Sequence, residues 1–148
     1  MPAAITLAQK RRLERAARAA ARASYSPYSK FRVGSAILTA SGRVYSGCNV
    51  ENASYGLTMC AERAAVAAAV ASGRRAFRAV AVVAKGPRAP YPCGACRQVL
   101  AEFCGPDTPV LVARTGRRGV ERLRVGELLP RAFALRTAGG RVRGKNVR

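Results

Sequence analysis

Two short cysteine motifs constrain the fold of this chain more than any other feature of its sequence. The motif C-A-E runs from Cys60 to Glu62, and a later motif, P-C-G-A-C, supplies Cys93 and Cys96. Five cysteines are an odd count that suits no closed disulfide framework, so clustered thiols indicate metal ligands, catalytic groups or small core residues. If these thiols share one metal ion, the fold must bring two distant segments to the same point.

The three thiols predict a catalytic zinc site. Each cysteine falls in the first turn of a predicted helix, where the helix dipole and free backbone N–H groups stabilise a thiolate. Three thiolates leave the fourth zinc position open, which is typical of a catalytic rather than a structural site. Glu62 is two residues from Cys60, so its carboxylate can reach water at that position and move the proton. A bare C-x-x-C would fit a redox pair or structural zinc equally well, and the neighbouring acid favours catalysis.

The chain contains no histidine. Catalysis by Ser-His-Asp or Cys-His groups is therefore excluded within it, and the zinc ligands must be thiolates or carboxylates. Three thiolates and Zn²⁺ carry a net negative charge, which weakens the activation of water. Arg63 is predicted to donate hydrogen bonds to thiolate sulfur and draw off part of that charge. A solvated position on the helix explains Arg63 equally well.

Length and composition limit the classes of protein to which the chain can belong. A chain of 148 residues suits a single domain with a real core. Its apolar runs fall short of the roughly 20 residues of a membrane-spanning helix, and its N-terminus lacks the pattern of a secretory signal, so we expect a cytoplasmic protein. The formal net charge of +20 attracts phosphates and nucleic acid. An arginine-rich proteome or an adaptation for solubility explains that charge equally well.

The predicted elements follow the order αββαβαββ, which indicates a mixed sheet covered by helices on both faces. Helices are expected at 6–24, 58–72 and 93–103, with Thr58 capping the second and Pro92 in the first turn of the third. Strands are expected at 32–38, 43–47, 79–84, 110–113 and 120–125, and a short helical turn at 125–129. Residues 49–57 are predicted to be an irregular polar connection. Residues 1–135 are expected to form the catalytic domain, and 136–148 a mobile basic tail.

The segments FRVGSAILTASGRVYSGCNVENASYGLTMCAERAA and PCGACRQVLAEF resemble the small cytidine deaminases of nucleoside salvage. The likeness extends over about residues 5 to 133, and the cysteine motifs match the three-cysteine signature of zinc deaminases. The resemblance implies a three-layer α-β-α fold with a five-stranded mixed sheet, one zinc ion per chain and a homotetramer with shared active sites. It also implies hydrolytic conversion of cytidine and deoxycytidine to uridine and deoxyuridine, with attack at C4 and Glu62 as the proton shuttle.

The same resemblance assigns roles to further residues. Asn49 and Glu51 would hold the ribose 3′-hydroxyl, and Phe31 would pack against the base, although Phe31 could also be a core residue. The remaining substrate contacts implied by the resemblance are the backbone of Cys60 and Ala61 at the base carbonyl, Ala53 and Tyr55 in a neighbouring subunit's site, and Phe133 closing another.

The sequence departs from the family pattern after Phe133, where it continues as ALRTAGGRVRGKNVR. That departure and the basic charge leave two alternatives open. One is a deaminase of a cytosine-containing antibiotic such as blasticidin, and the other is a deaminase or binder of nucleic acid. Cys48 and Cys104 have no partner spacing and are expected to be small buried residues.

Overall fold

The computed structural model of the chain describes residues 4–137 and 140–141. The helices of this part are α1 (Leu7–Arg22), α2 (Ala61–Ala71), α3 (Gly94–Phe103) and α4 (Val125–Leu128), with a 3₁₀ turn at Tyr55–Leu57. The strands are β1 (Val33–Thr39), β2 (Val44–Cys48), β3 (Phe77–Lys85), β4 (Pro109–Thr115), β5 (Val120–Arg124), β6 (Arg136–Thr137) and β7 (Gly140–Arg141).

Five strands form one mixed sheet in the order β2-β1-β3-β4-β5, and β6 pairs only with β7. Strand β1 is antiparallel to β2 and β3, β3 is parallel to β4, and β5 is antiparallel to β4. Strands β2, β3 and β4 therefore point the same way, and α2 and α3 are the two crossover connections between them. Right-handed crossovers that advance in the same direction lie on the same face of a sheet. Both helices consequently begin beside the carboxyl ends of these three parallel-pointing strands.

The two faces of the sheet carry separate apolar cores. On one face α2 and α3 pack over Val33, Ile37, Val80 and Val82, all at most 8% exposed. On the other face α1 packs over Ala36, Leu38 and Ala81, and these side chains are fully buried. The residues of β1 alternate between the two cores, as a strand with period two requires. The predicted three-layer α-β-α architecture is confirmed.

Two glycines of the β1–β2 hairpin let a helix approach the sheet closely on each face. A Cβ atom at Gly34 would lie 1.9 Å from the carbonyl oxygen of Ala17 in α1. A Cβ atom at Gly47 would lie 2.5 Å from the backbone nitrogen of Ala65 in α2. No side chain fits at either distance, so these glycines set the separation between the hairpin and both helices.

The predicted order of elements is confirmed as far as α4, and several predicted details are wrong. Strands β6 and β7 pair within the segment 136–148 that was predicted to be a mobile tail. Cys60, not Thr58, is the N-cap of α2, and Cys93 caps α3 so that Pro92 precedes the helix. The connection predicted to be irregular contains the 3₁₀ turn and a bridge between Val50 and Met59. Helix α1 ends at Arg22, two residues earlier than predicted. Thr6 does cap α1, in a capping box with Gln9.

The two cysteines outside the motifs differ in burial. Cys104 is 2% exposed, as predicted, whereas Cys48 at the end of the edge strand β2 is only half-buried. An edge strand lacks a neighbour on one side, which leaves its last residue partly open to solvent.

No helix in residues 4–137 and 140–141 combines the length and apolarity needed to cross a membrane. Residues 138–139 and 142–148 of the predicted basic tail lie outside the described part of the chain. The domain boundary at 135 stays a prediction.

Candidate metal centre and active site

The amino ends of α2 and α3 meet at one edge of the sheet and bring three cysteines together. Cys60 and Cys93 are the N-caps of these helices, and Cys96 lies in the first turn of α3. Their three sulfur atoms lie within 4.8 Å of one another, with 3.8 Å between Cys60 Sγ and Cys93 Sγ. Cys96 is buried, Cys60 is half-buried and Cys93 is exposed, so the cluster opens to solvent on one side.

This cluster fits a zinc ion in both geometry and donor chemistry. Tetrahedral coordination at a Zn–S distance of about 2.3 Å separates two sulfur ligands by about 3.8 Å. The separation of Cys60 and Cys93 matches that value. Three soft thiolate donors are the ligand type that selects zinc over magnesium or calcium. The fold therefore brings together the predicted zinc ligands Cys60, Cys93 and Cys96. Three ligands at these distances match a catalytic zinc site, in which the fourth coordination position is free.

Hydrogen bonding divides the protons unequally between the thiols. The Cys96 thiol, aided by the Arg63 guanidinium, lowers the pKa of Cys60 to about 5 by hydrogen bonding to its thiolate. The same hydrogen bond, together with burial, raises the pKa of Cys96. Of the two thiols, Cys60 is therefore the one that more readily adopts the thiolate form, which is the form that binds metal.

Glu62 lies on the first turn of α2, and its side chain is directed into the molecule. The residue is only 5% exposed. Burial, reinforced by the negative charge of Cys60, raises the pKa of the Glu62 carboxyl to about 7. A carboxyl group with a near-neutral pKa both accepts and releases protons readily. Glu62 thus combines proximity to the thiols with the acidity that a proton shuttle requires.

Arg63 faces the same cluster. Its Nη2 atom donates to the carbonyl oxygen of Thr58 at 3.2 Å and lies 3.9 Å from Cys60 Sγ. The residue is half-buried, so the alternative of a fully solvated helix position does not describe it. The guanidinium is placed where it offsets part of the negative charge of the thiolates.

Asn49 follows β2 and is almost fully engaged by the backbone. Its Oδ1 accepts from the backbone N–H of Val33 at 2.9 Å and from the hydroxyl of Ser24, and its Nδ2 donates to the carbonyl of Phe31 at 2.7 Å. One N–H of the amide remains for a ligand. Asn49 can therefore serve a substrate only as a donor.

Glu51 is fixed by the loop that follows α1. Its Oε1 accepts from the backbone N–H groups of Tyr28 at 2.9 Å and Ser29 at 3.1 Å, and the Ser29 hydroxyl donates to its Oε2. The Ser29 hydrogen bond holds the pKa of the Glu51 carboxyl below its usual value. The group is a fixed, ionised hydrogen-bond acceptor.

The remaining residues with predicted substrate roles separate into two groups. Ala61 is fully buried at the start of α2, where its backbone N–H is one of the unpaired donors of the helix end, and Phe31 is half-buried against the α2–α3 core. Ala53, Tyr55 and Phe133 are exposed, and the two aromatic residues are 79% and 70% exposed. This second group therefore has no place in the buried part of the chain's own site.

The likeness to known proteins extends over most of the chain. Residues 7–112 match the family model described as the cytidine and deoxycytidylate deaminase zinc-binding region. This chain belongs to the cytidine and deoxycytidylate deaminase family. It is 51% identical over 112 residues to the cytidine deaminase of Sporosarcina psychrophila, which covers 75% of this chain and 81% of that one.

A solved structure and a more distant relative refine the placement within the deaminase family. The crystal structure of cytidine deaminase from Burkholderia pseudomallei superimposes with a TM-score of 0.79 at 46% identity, over 87% of this chain and all of that one. The blasticidin-S deaminase of Bacillus cereus is 31% identical over 113 residues, 68% of this chain and 76% of that one. The chain is thus more similar to the cytidine deaminase than to the antibiotic deaminase.

Two polar residues of this deaminase were not predicted from the sequence. On α3, Arg97 donates from Nε to the carbonyl of Pro92 at 2.7 Å and from Nη1 to the carbonyl of Leu128 at 2.9 Å. Gln98 donates to the carbonyl of Phe133 at 3.1 Å. Both residues follow the C-x-x-C motif directly. Their partners are backbone carbonyl groups, two of them more than 30 residues away, so no local sequence pattern identifies Arg97 or Gln98 as a donor.

The residues whose hydroxyl groups donate hydrogen bonds to Asn49 and Glu51 were also not predicted from the sequence. Ser24 and Ser29 lie in or beside the segment YSPYSK, whose Pro and Ser content is typical of a loop and indicates nothing more specific. Their partners lie 25 and 22 residues further along the chain, so no local pattern in the sequence identifies these contacts.

Proposed function

We propose that this chain catalyses the zinc-dependent hydrolytic deamination of cytidine and deoxycytidine to uridine and deoxyuridine. The observation that carries the proposal is the convergence of three thiols within 4.8 Å beside a buried carboxyl group, Glu62. A structural zinc site has no use for such a carboxyl, whereas a hydrolytic site needs one to move a proton. Membership of the deaminase family supports the same reaction.

The proposed chemistry divides between the metal and the chain. Zinc held by Cys60, Cys93 and Cys96 supplies the Lewis acidity that makes water a nucleophile at neutral pH. Glu62 takes the proton from that water as it attacks C4 of the base. The carboxyl group passes this proton to the ring nitrogen, then takes the second proton from the hydroxyl now bonded to C4 and delivers it to the departing amine, so that cytidine and water give uridine and ammonia. The backbone N–H of Ala61 donates to the base carbonyl, which fixes the ring against the nucleophile.

The sugar is bound by the fixed pair of Glu51 and Asn49. The ionised Glu51 accepts from the 3′-hydroxyl, and the remaining N–H of Asn49 donates to it. A nucleoside without that hydroxyl forms no charge-assisted hydrogen bond to Glu51, which lowers its affinity for the site. A nucleotide linked through its 3′ oxygen has no hydroxyl to donate there, so the site selects free nucleosides over polynucleotides.

Ala53, Tyr55 and Phe133 are proposed to act between subunits. Their exposure leaves them free to contact another chain, and aromatic side chains are enriched in interfaces. We accordingly propose a homotetramer in which neighbours complete one another's sites. We place the enzyme in cytoplasmic pyrimidine salvage, because five cysteines without a disulfide are typical of a reducing compartment.

The test is turnover of cytidine, followed by the ultraviolet change on conversion to uridine, with zinc quantified in the same preparation. We expect about one zinc per chain and loss of turnover on chelation. Glu62→Gln should retain zinc and lose at least about a hundredfold in kcat, because the amide cannot accept the proton. Unchanged turnover in that variant would refute the role of Glu62.

The antibiotic alternative rests on the similarity to blasticidin-S deaminase. Blasticidin lacks the ribose that Glu51 and Asn49 are proposed to hold. Full zinc occupancy with turnover of blasticidin but neither nucleoside would establish that alternative, whereas the proposed function predicts the opposite preference.

A further inference from the structure

We propose that the outer face of α1 binds the phosphate backbone of nucleic acid, as a docking surface separate from the deaminase site. The arginine stripe that forms this surface consists of Arg11, Arg15, Arg18 and Arg22. Their spacing of four, three and four residues places them in one row along a helix. At 1.5 Å per residue the row is about 16 Å long, which spans several phosphates of a nucleic-acid strand.

The stripe is directed to solvent because the other side of α1 is committed to the core. Leu13, Ala17 and Ala21 are the buried residues of the helix and pack on the sheet. Three of the four arginines are exposed, and Arg18 is half-buried. The positive charge is therefore displayed on a rigid element rather than on a flexible loop.

The charge of the stripe is not neutralised within the described chain. In residues 4–137 and 140–141, both ion pairs of the structure involve Arg124, with Asp107 and Glu127 as its partners. Glu14 is the single acid of α1, beside five arginines and one lysine. The guanidinium groups thus remain available to an external anion.

Helix stability accounts for Arg22, which lies in the last turn of α1 near the negative end of the helix dipole, but not for Arg11, Arg15 and Arg18. Like charges three or four residues apart repel and destabilise a helix. The first turn of α1 contains no acid, and Lys10, Arg11 and Arg12 follow it near the positive end of the helix dipole, where cations are unfavourable. A row of arginines that destabilises the helix on which it lies is explained if the row binds a ligand of opposite charge.

The position of the stripe makes nucleic acid a partner and not a substrate. Helix α1 covers the face of the sheet opposite to α2 and α3, whose amino ends hold the three cysteines. A strand bound along α1 is therefore separated from Glu62 by the thickness of the sheet. No aromatic side chain lies on α1 to stack a base, so binding should depend on phosphate charge and show no sequence preference.

The experiment measures fluorescence anisotropy of a labelled DNA duplex of about 20 base pairs with the full chain, at several salt concentrations. The test variant is Arg11→Gln, Arg15→Gln, Arg18→Gln and Arg22→Gln combined, since Gln retains helix propensity. The matched control changes four exposed arginines elsewhere, Arg75, Arg88, Arg117 and Arg118, to Gln. Both variants lose the same formal charge, so a difference between them reports the location of the binding surface.

We expect the stripe variant to bind at least about tenfold more weakly, with a salt dependence that is shallower by about 0.9 for each phosphate that the variant no longer neutralises. The control should stay within about threefold of the wild type, and both variants should keep their zinc content, circular dichroism and cytidine turnover. A single-stranded RNA of the same length shows whether RNA or duplex DNA is the better source of phosphates.

Three results would overturn the proposal. Equal losses in the two variants would indicate a general field of positive charge rather than a surface on α1. Absence of wild-type binding at about 0.1 M salt would remove nucleic acid as a partner. Tighter binding to vesicles of anionic phospholipid than to either nucleic acid would assign the stripe to a membrane surface.

Discussion

At the scale of single residues, hydrogen bonds within the folded chain fix the polar side chains that are proposed to bind the sugar. Glu51 is bound by a backbone N–H and a hydroxyl of Ser29, which lies 22 residues earlier. The side chain of Asn49 is similarly fixed by hydrogen bonds to the backbone of Val33, the first residue of β1, and of Phe31, two residues before it. Fixing these side chains in the folded chain removes an entropy loss that binding would otherwise include. Ser29, in the loop before β1, therefore contributes to the site although it is not proposed to touch the substrate itself.

Ser29→Ala tests this arrangement. The variant removes one charge-assisted hydrogen bond to Glu51 and the hydrogen bond that the Ser29 hydroxyl accepts from the backbone N–H of Phe31 at 3.0 Å, and it leaves the two backbone donors to Glu51 in place. We expect KM for cytidine to rise roughly tenfold with little change in kcat, since the group acts on binding and not on the chemistry. Steady-state kinetics with Ser46→Ala, an exposed serine on β2, as control would measure the effect.

The substrate provides an internal check on Ser29→Ala. Turnover of 3′-deoxycytidine, which lacks the hydroxyl proposed to contact Glu51, should be insensitive to the substitution. An equal effect on both nucleosides would mean that Ser29 supports the fold and not the sugar site.

The sequence predicted the residues of the metal site more completely than the residues that hold the sugar site in place. Cys60, Cys93 and Cys96 occur in two compact motifs whose chemistry restricts them to few roles. Ser29 and Arg97 act through partners far along the chain or through backbone atoms, which carry no residue-specific signal. Local pattern reveals what a residue is suited to do, whereas its partner is decided by the fold.

At the scale of elements, the metal centre is a product of sheet topology. Helices α2 and α3 are consecutive crossovers on one face, so their amino ends meet where β2 and β3 end. The order of elements was predictable from hydrophobic runs and turn residues. The N-caps were not, because cysteine is a poor side-chain cap and neither Cys60 nor Cys93 forms a capping hydrogen bond. Convergence on the metal, rather than helix propensity, explains their position.

Substitutions of the two hairpin glycines should separate the stability of the fold from the geometry of the metal site. In Gly47→Ala the new Cβ atom meets the backbone of α2, 2.5 Å from Ala65 N, so α2 must shift together with Cys60. In Gly34→Ala the Cβ atom meets α1 instead, 1.9 Å from Ala17 O. Both variants should lose about 1–3 kcal/mol of unfolding free energy or more, and only Gly47→Ala should also bind zinc more weakly.

Urea unfolding and zinc competition against a chelator measure the two effects in the same preparations. Gly56→Ala is the control, because a Cβ atom there meets nothing within 4 Å. Equal loss of zinc affinity in Gly34→Ala and Gly47→Ala would contradict a specific link between α2 and the metal, since both would then act through global stability alone.

At the scale of the whole molecule, the single chain leaves apolar groups exposed around its site. Tyr55 is 79% exposed, Leu57 69% and Phe133 70%. Tyr55 stacks edge-on with Tyr28 at a centroid distance of 6.4 Å, which ties it to the loop that holds Glu51. Exposed aromatic and aliphatic side chains that lie as close together as Tyr55 and Leu57 in their 3₁₀ turn are typical of a surface that another chain covers. The proposed tetramer would cover this surface and explain why Ala53, Tyr55 and Phe133, which the resemblance gives substrate-binding roles, lie outside the buried part of the chain's own site.

Mixing two inactive variants tests the shared site directly. Glu62→Gln removes the proton shuttle but leaves Tyr55 for a neighbour, and Tyr55→Ala keeps Glu62 but offers nothing to the next site. Coexpressed with different tags and purified through both, the hybrids should regain turnover in about a quarter of their sites if chains mix at random, because each active site needs Glu62 from one chain and Tyr55 from another. Light scattering verifies that each parent is a tetramer, and Tyr55→Ala alone must lose turnover for the comparison to be valid. Hybrid tetramers no more active than the sum of their parents would mean that each chain builds its site alone, and the exposure of Tyr55 would then need another partner.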